Sequence, residues 1–136
     1  MLNMKLLGID YGRRKIGLAV SSGRLSEPFQ VIRYKDYDKM IAHIGRIIEK
    51  QKIEKIVVGM SENEMGEEIK KFALILGSNT SVPIDFSDET LSSHDAIEMS
   101  VASGMGRKKR KEMEDAFAAS IMLQNYIDSK TNVNLQ

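Results

Sequence analysis

Three acidic side chains stand where their position makes them candidates for chemistry. Asp10 closes an apolar run, Leu6, Leu7, Gly8 and Ile9, that reads as a buried strand. Glu89 follows the last strand-like stretch, Val82 to Phe86. Asp115 opens the apolar segment Ala116 to Leu123, where a surface acid is not expected. An unpaired carboxylate is costly to bury, so such acids usually face a cation or a substrate. In parallel-type sheets, sites gather at the carboxyl ends of central strands. The first and last strand ends, crossed by a C-terminal helix, would bring the three acids together. A carboxylate set without His or Cys is a hard, oxygen-rich site suited to Mg²⁺ or Mn²⁺. Two such ions about 4 Å apart clamp the attacking and leaving oxygens of a phosphodiester. On spacing alone a plainer reading stands beside this one: strand-end acids, and a helix N-terminal acid favoured by the macrodipole.

The elements that must position these acids follow in chain order. Leu6 to Ile9 and Ile16 to Val20 are two apolar runs joined by a turn through Gly12, a hairpin pattern. Phe29 to Tyr34 supplies a third strand and completes a meander. Met40, Ile41, Ile44, Ile47 and Ile48 form one helical stripe, which Asp36 or Asp38 can cap. Ile53 to Met60 is the fourth strand. Ile69, Phe72, Ala73 and Leu76 share a helix face that ends near Gly77. Val82 to Phe86 is the fifth strand, and a helix from about Ser93 to Ser103 follows it. Gly104 and Gly106 then break the chain before the basic run Arg107 to Lys111. The last helix spans about Glu112 to Asp128, with a polar, flexible tail from about Ser129. Strand–helix–strand units imply parallel pairing. The expected fold is α/β: a mixed five-stranded sheet, an antiparallel meander plus two parallel strands, flanked by about four helices.

Composition bounds the rest. The 136 residues suit one domain with a real core. The absence of cysteine excludes disulfides, thiolate metal sites and a thiol nucleophile. No apolar run approaches the roughly 20 residues that span a bilayer, and the N-terminus lacks a signal-peptide core, so no membrane partner and a cytoplasmic setting are expected. With 20 basic and 19 acidic residues, overall charge carries no nucleic-acid signal, which would have to come from a local patch.

The motifs carry a resemblance. Gly8-Ile9-Asp10-Tyr11-Gly12, followed by Lys15-Ile16-Gly17-Leu18-Ala19-Val20-Ser21, resembles the opening of the YqgF (RuvX-like) family of Holliday junction resolvases and ribosomal RNA precursor nucleases. Ile56-Val57-Val58-Gly59-Met60, Asp88-Glu89-Thr90-Leu91-Ser92-Ser93 and Asp115-Ala116-Phe117-Ala118-Ala119 resemble its later motifs, in the same order and across nearly the full chain. The resemblance implies a ribonuclease H-like fold and a nuclease dependent on Mg²⁺ or Mn²⁺. Asp10, Glu89 and Asp115 match the family's catalytic, metal-binding carboxylates. In that scheme Asp10 bridges two ions, Glu89 and Asp115 hold one each, and a metal-activated water attacks phosphorus. Asp88 is a fallback that strand alternation points away from Glu89. The implied partner is nucleic acid, either precursor 16S ribosomal RNA or branched DNA, handled by a monomer or a homodimer. Two departures bear on substrate binding: Thr90 stands where the family usually has Arg, and Ser61 where it commonly has Pro. Losing an Arg beside a phosphate removes a bidentate contact. The alternative is a weak or inactive nucleic-acid or ribosome-associated module of the same fold.

The cations have two readings as well. Arg107, Lys108, Lys109, Arg110 and Lys111 precede Asp115, and Arg13, Arg14 and Lys15 fill the first turn. They either contact phosphates beside the site or form solvated surface. His43 reads as a helix-face residue and His94 as a surface or capping one. Gly8, Gly12 and Gly17 fit no phosphate-loop spacing and read as turn and close-packing positions. Aromatic residues make up only 6% of the chain, which argues against a stacking platform for single strands. An actin-like ATPase lobe, which also opens on a glycine-bearing hairpin, needs a second lobe.

Overall fold

A computed structural model of the chain describes residues 3–60, 65–88, 98 and 101–135. Strands β1 (Lys5–Asp10), β2 (Lys15–Ser22) and β3 (Ser26–Arg33) form the meander. Helix α1 (Tyr37–Lys50) leads to β4 (Lys55–Met60), and α2 (Met65–Ser78) leads to β5 (Ile84–Asp88). Two helices close the chain, α3 (Arg107–Glu112) and α4 (Glu114–Leu135).

The strand order is β3-β2-β1-β4-β5, with β1 antiparallel to β2 and parallel to β4. The expected mixed five-stranded sheet is therefore present, and β1, the strand that ends on Asp10, is its centre. Successive strand residues point to opposite faces. Leu7, Ile9, Ile16, Leu18, Ile56 and Val58 meet the apolar stripes of α1 and α2 on one face. Leu6, Ala19 and Val57 meet Ala119, Met122, Leu123, Tyr126 and Ile127 of α4 on the other. The centre of the sheet is thus covered on both sides, which is why β1 and β4 read as continuous apolar runs rather than alternating ones.

Local chemistry explains most boundaries. The Asp36 side chain caps α1, accepting from the Lys39 N–H at 3.0 Å. The fifth strand begins at Ile84 rather than Val82. Pro83 has no N–H to give a ladder and contributes only its carbonyl, which accepts from Ile56 N at 2.9 Å. Asp88, expected just beyond the strand, lies within it and pairs with Met60.

The basic run, which follows the break at Gly104 and Gly106, is not irregular surface. It is helical: Gly106 is the N-cap, and Arg110 N donates to the Gly106 carbonyl at 2.9 Å. Lys and Arg are good helix formers, so the two glycines delay this helix without abolishing it. Met113, at φ −101° and ψ 5°, separates α3 from α4. The last helix continues to Leu135, past the Ser129 where a polar tail is expected. The helix expected at about Ser93 to Ser103 falls largely outside the described residues. No helix among them is long and apolar enough to cross a membrane.

Candidate active site

Asp10 ends the central strand, and its partner on β2 is Gly17. Opposite residues of an antiparallel pair share a face. The face is fixed by packing: a Cβ on Gly17 would overlap the carbonyl of Asp115, and a Cβ on Gly8 would lie 3.0 Å from Leu123 Cβ. Gly8, Asp10 and Gly17 therefore all belong to the α4 side of the sheet. The N-terminus of α4 reaches the β1–β2 rung that carries Asp10 because Gly17 presents no side chain there. Two of the three expected acids, 105 positions apart in sequence (115 − 10), are brought to one face at one end of the sheet.

Lys15 belongs to the same group. Its ammonium Nζ lies 3.0 Å from Asp115 Oδ2, both side chains being partly exposed. Asp115 also stands in the first turn of α4, where the helix dipole favours a negative charge. The ion pair was not foreseen, since one member is at the start of β2 and the other opens the last helix. The signal in hindsight is parity: Lys15, Gly17 and Ala19 alternate onto one face.

Glu89, the third expected carboxylate, lies outside the described residues, as do Thr90 and His94. Among the described residues no cluster of three metal-ligating side chains occurs. Asp88 does not fill the gap. It shares strand parity with Ile84, which packs with the α1–α2 core, and so belongs to the face opposite Asp10. The donor set nevertheless fits a hard divalent ion: carboxylate oxygens at a strand end and a helix start, without competing soft ligands.

The helix that carries Asp115 is clasped to the sheet by polar contacts. Ser26 Oγ lies 2.9 Å from Ser120 Oγ, Ser26 N donates to Gln124 Oε1 at 2.9 Å, and Gln124 Nε2 donates to the Arg24 carbonyl at 2.8 Å. Farther along, Tyr126 donates its hydroxyl to Asp85 Oδ2 at 2.7 Å. That bond is the largest influence holding the Asp85 carboxyl below its ordinary value, helped by the Phe86 N–H and Lys55 and opposed by burial.

The expected cations are distributed differently. Arg13 Nε bonds both oxygens of Glu68, at 3.0 and 3.2 Å. Arg14 is exposed, and with Arg13, Arg33, Tyr34 and Lys35 it lines an open cavity of about 710 Å³. Lys108, Lys109 and Lys111 are exposed on α3, while Arg110 is half-buried, its Nε without a hydrogen-bond partner among the described residues. His43 lies on α1 with its ring Nε2 3.5 Å from the Gln30 amide, consistent with a helix-face role.

A sequence model described as "RuvX: Holliday junction resolvase" matches residues 4–129. A protein of Leuconostoc citreum is 35% identical over 137 residues, covering 93% of this chain and 96% of the relative. A protein of Caldanaerobacter subterraneus is 35% identical over 138 residues, covering 95% and 99%. Both carry the name "Putative pre-16S rRNA nuclease". Among solved structures, the RuvC of T. thermophilus in complex with a Holliday junction substrate superposes with a TM-score of 0.63 at 16% identity, covering 95% of this chain and 96% of that one. The Fowlpox virus resolvase complexed with Holliday junction DNA gives 0.62 at 11% identity, covering 93% and 98%. At such identities the likeness establishes the fold, which is ribonuclease H-like.

Proposed function

The chain belongs to the RuvX family, and on that premise we propose that it is a divalent-metal-dependent nuclease that trims the precursor of 16S ribosomal RNA. The names of the relatives at 35% identity support the RNA substrate, the description of the family model points to a Holliday junction, and the solved resolvases share the fold. The single observation that most supports a hydrolytic site is the close approach of the start of α4, at Asp115, to Gly17, the strand partner of Asp10. Asp10 and Asp115, with Glu89 as the third member, would hold Mg²⁺ or Mn²⁺. When bound, such ions stabilise charge on the phosphate and position the reacting oxygens. The chain's own contribution is placement. The central strand and the clasped helix would hold Asp10 and Asp115 at one end of the sheet. Trimming one RNA end needs one site, so a monomer suffices, whereas symmetric cutting of a junction would call for a dimer. With that substrate the protein works in the cytoplasm.

The test is cleavage of precursor 16S RNA and of a four-way DNA junction with Mg²⁺ or Mn²⁺ by the wild type and Asp10→Asn. The variant should keep its far-ultraviolet dichroism and lose more than about 100-fold in rate, since even outer-shell partners of a metal are worth about 10–100-fold. Undiminished cleavage by that variant rejects the site. Preference for the junction transfers the substrate to DNA. A non-catalytic binding module is the second reading, favoured by the Lys15–Asp115 ion pair, in which one candidate ligand already has a cation of the chain on it. Absence of cleavage by the wild type selects it.

A further inference from the structure

Tyr11 directly follows Asp10, and on a strand the next side chain points to the other face. Its ring packs at 4.7 Å against Phe72 of α2. A cleft opens at this end of the sheet, on the α1–α2 side around Tyr11 and Tyr37 and reaching past the β1–β2 turn to Arg33, the cross-strand partner of Lys15 on the α4 face. Two cavities, of about 710 and 480 Å³, share Arg13, Tyr34 and Lys35 in their walls. Arg14 and Arg33 border the first, and Tyr11, Tyr37 and Lys71 the second.

The cleft is built on fixed backbone. Tyr34 N donates to the Arg14 carbonyl at 3.0 Å, and the Tyr34 hydroxyl donates to the Gly12 carbonyl at 2.6 Å. These bonds tie the turn after Asp10 to the segment between β3 and α1. Tyr34 and Tyr37 meet edge to face, centroids 6.3 Å apart. Burial raises the phenol pKa of Tyr11, Tyr34 and Tyr37, so all three stay neutral donors at working pH. The scarcity of aromatic residues argued against a stacking platform, yet three of the four tyrosines converge at this point. The charge is one-sided. Glu68, the only acid in either wall among the described residues, is engaged by Arg13. Arg14, Arg33, Lys35 and Lys71 have no ion-pair partner among the described residues.

We propose that this cleft holds a single-stranded stretch of nucleic acid that continues from the Asp10 face over the β1–β2 turn, its phosphates on Arg14, Arg33 and Lys35 and a base against the Tyr34–Tyr37 pair. Duplex bases are stacked and offer no free face, whereas splayed single-stranded bases meet aromatic rings. The inference rests on the nuclease reading for its direction, but binding can be measured without cleavage.

The experiment is equilibrium binding, in EDTA, of a fluorescein-labelled single-stranded RNA oligomer and of the same sequence as a duplex. Arg33→Ala/Lys35→Ala, at two exposed positions, should weaken single-strand binding about tenfold or more. It should also lower the salt slope by about 1.4, two contacts at roughly 0.7 each. Tyr37→Leu should weaken it by about fivefold or more with the slope unchanged, as loss of a stacking contact does. Duplex binding should move less than about twofold in each case. The proposal is overturned if the wild type does not bind the single strand, if neither variant weakens it, or if duplex and single strand lose equally. Failure of the Asp10→Asn cleavage test alongside the expected binding result removes the nuclease reading and leaves the cleft.

Discussion

Gly17 and Asp115 meet backbone to backbone, with no room between them for a side chain. The approach sets how close the start of α4 comes to the end of the central strand. Gly17→Ala should force the helix away, and overpacking of this kind costs typically 1–3 kcal/mol and occasionally more, here about 3 because the obstacle is backbone. Chemical denaturation should show the loss of stability. A wild-type midpoint would mean that α4 can shift freely, and Asp115 would then not be held in place.

Lys15 competes with any cation for the Asp115 carboxylate. A partly exposed ion pair is worth about 0.2–1 kcal/mol. Removing it with Lys15→Gln should therefore raise Mn²⁺ affinity by about 1.4- to fivefold, read by calorimetric titration of the protein without nucleic acid. Affinity unchanged by the substitution would place the ion away from Asp115.

Tyr126 and Asp85 define a pH dependence. The Tyr126 hydroxyl holds the Asp85 carboxyl below its ordinary 3.8. A depressed carboxylate contributes stability above its unfolded value and loses that contribution as pH falls through the folded one. Tyr126→Phe should cost about 1 kcal/mol at neutral pH, a figure discounted because Asp85 is partly exposed. The gap between the two proteins should shrink below about pH 4. Denaturation midpoints at pH 7 and pH 3 check this, and a gap that widens in acid contradicts it.

Lys108 and Lys109 project from α3, the short helix preceding Asp115. If they contact phosphates, Lys108→Gln/Lys109→Gln should reduce the salt slope of nucleic-acid binding by one to two, at roughly 0.7–0.9 per contact. A slope equal to that of the wild type makes them a solvated surface.

What could be read from the residues depended on range. Continuous apolar runs located β1, β2 and β4, and stripes of period 3.6 located α1 and α2, because each signal is visible within one window. Gly8 and Gly17 were legible as close-packing positions for the same reason that they matter: an interior strand rarely omits a side chain without a neighbour pressing on it. The ends of β5 were less legible, since Pro83 permits an extended conformation while denying a ladder bond. The gathering of Tyr11, Tyr34 and Tyr37 leaves no local trace, and the Lys15–Asp115 pair leaves only the shared parity of Lys15 and Gly17. Both are made by strand order and crossover, which bring together segments with no shared periodicity. Asp10 and Asp115 could be named as candidates from their settings, while Glu89, as a partner for them, still rests on the family motif.

The clasp between Ser26, Ser120 and Gln124 has a consequence for the chain while it is being made. Leu6, Gly8, Ala19 and Val57 emerge from the ribosome long before residues 119–127, which cover them. Until those residues arrive, the growing polypeptide carries an uncovered greasy sheet surface. Nascent chains stalled before α4 should therefore be the ones that aggregate or recruit chaperones.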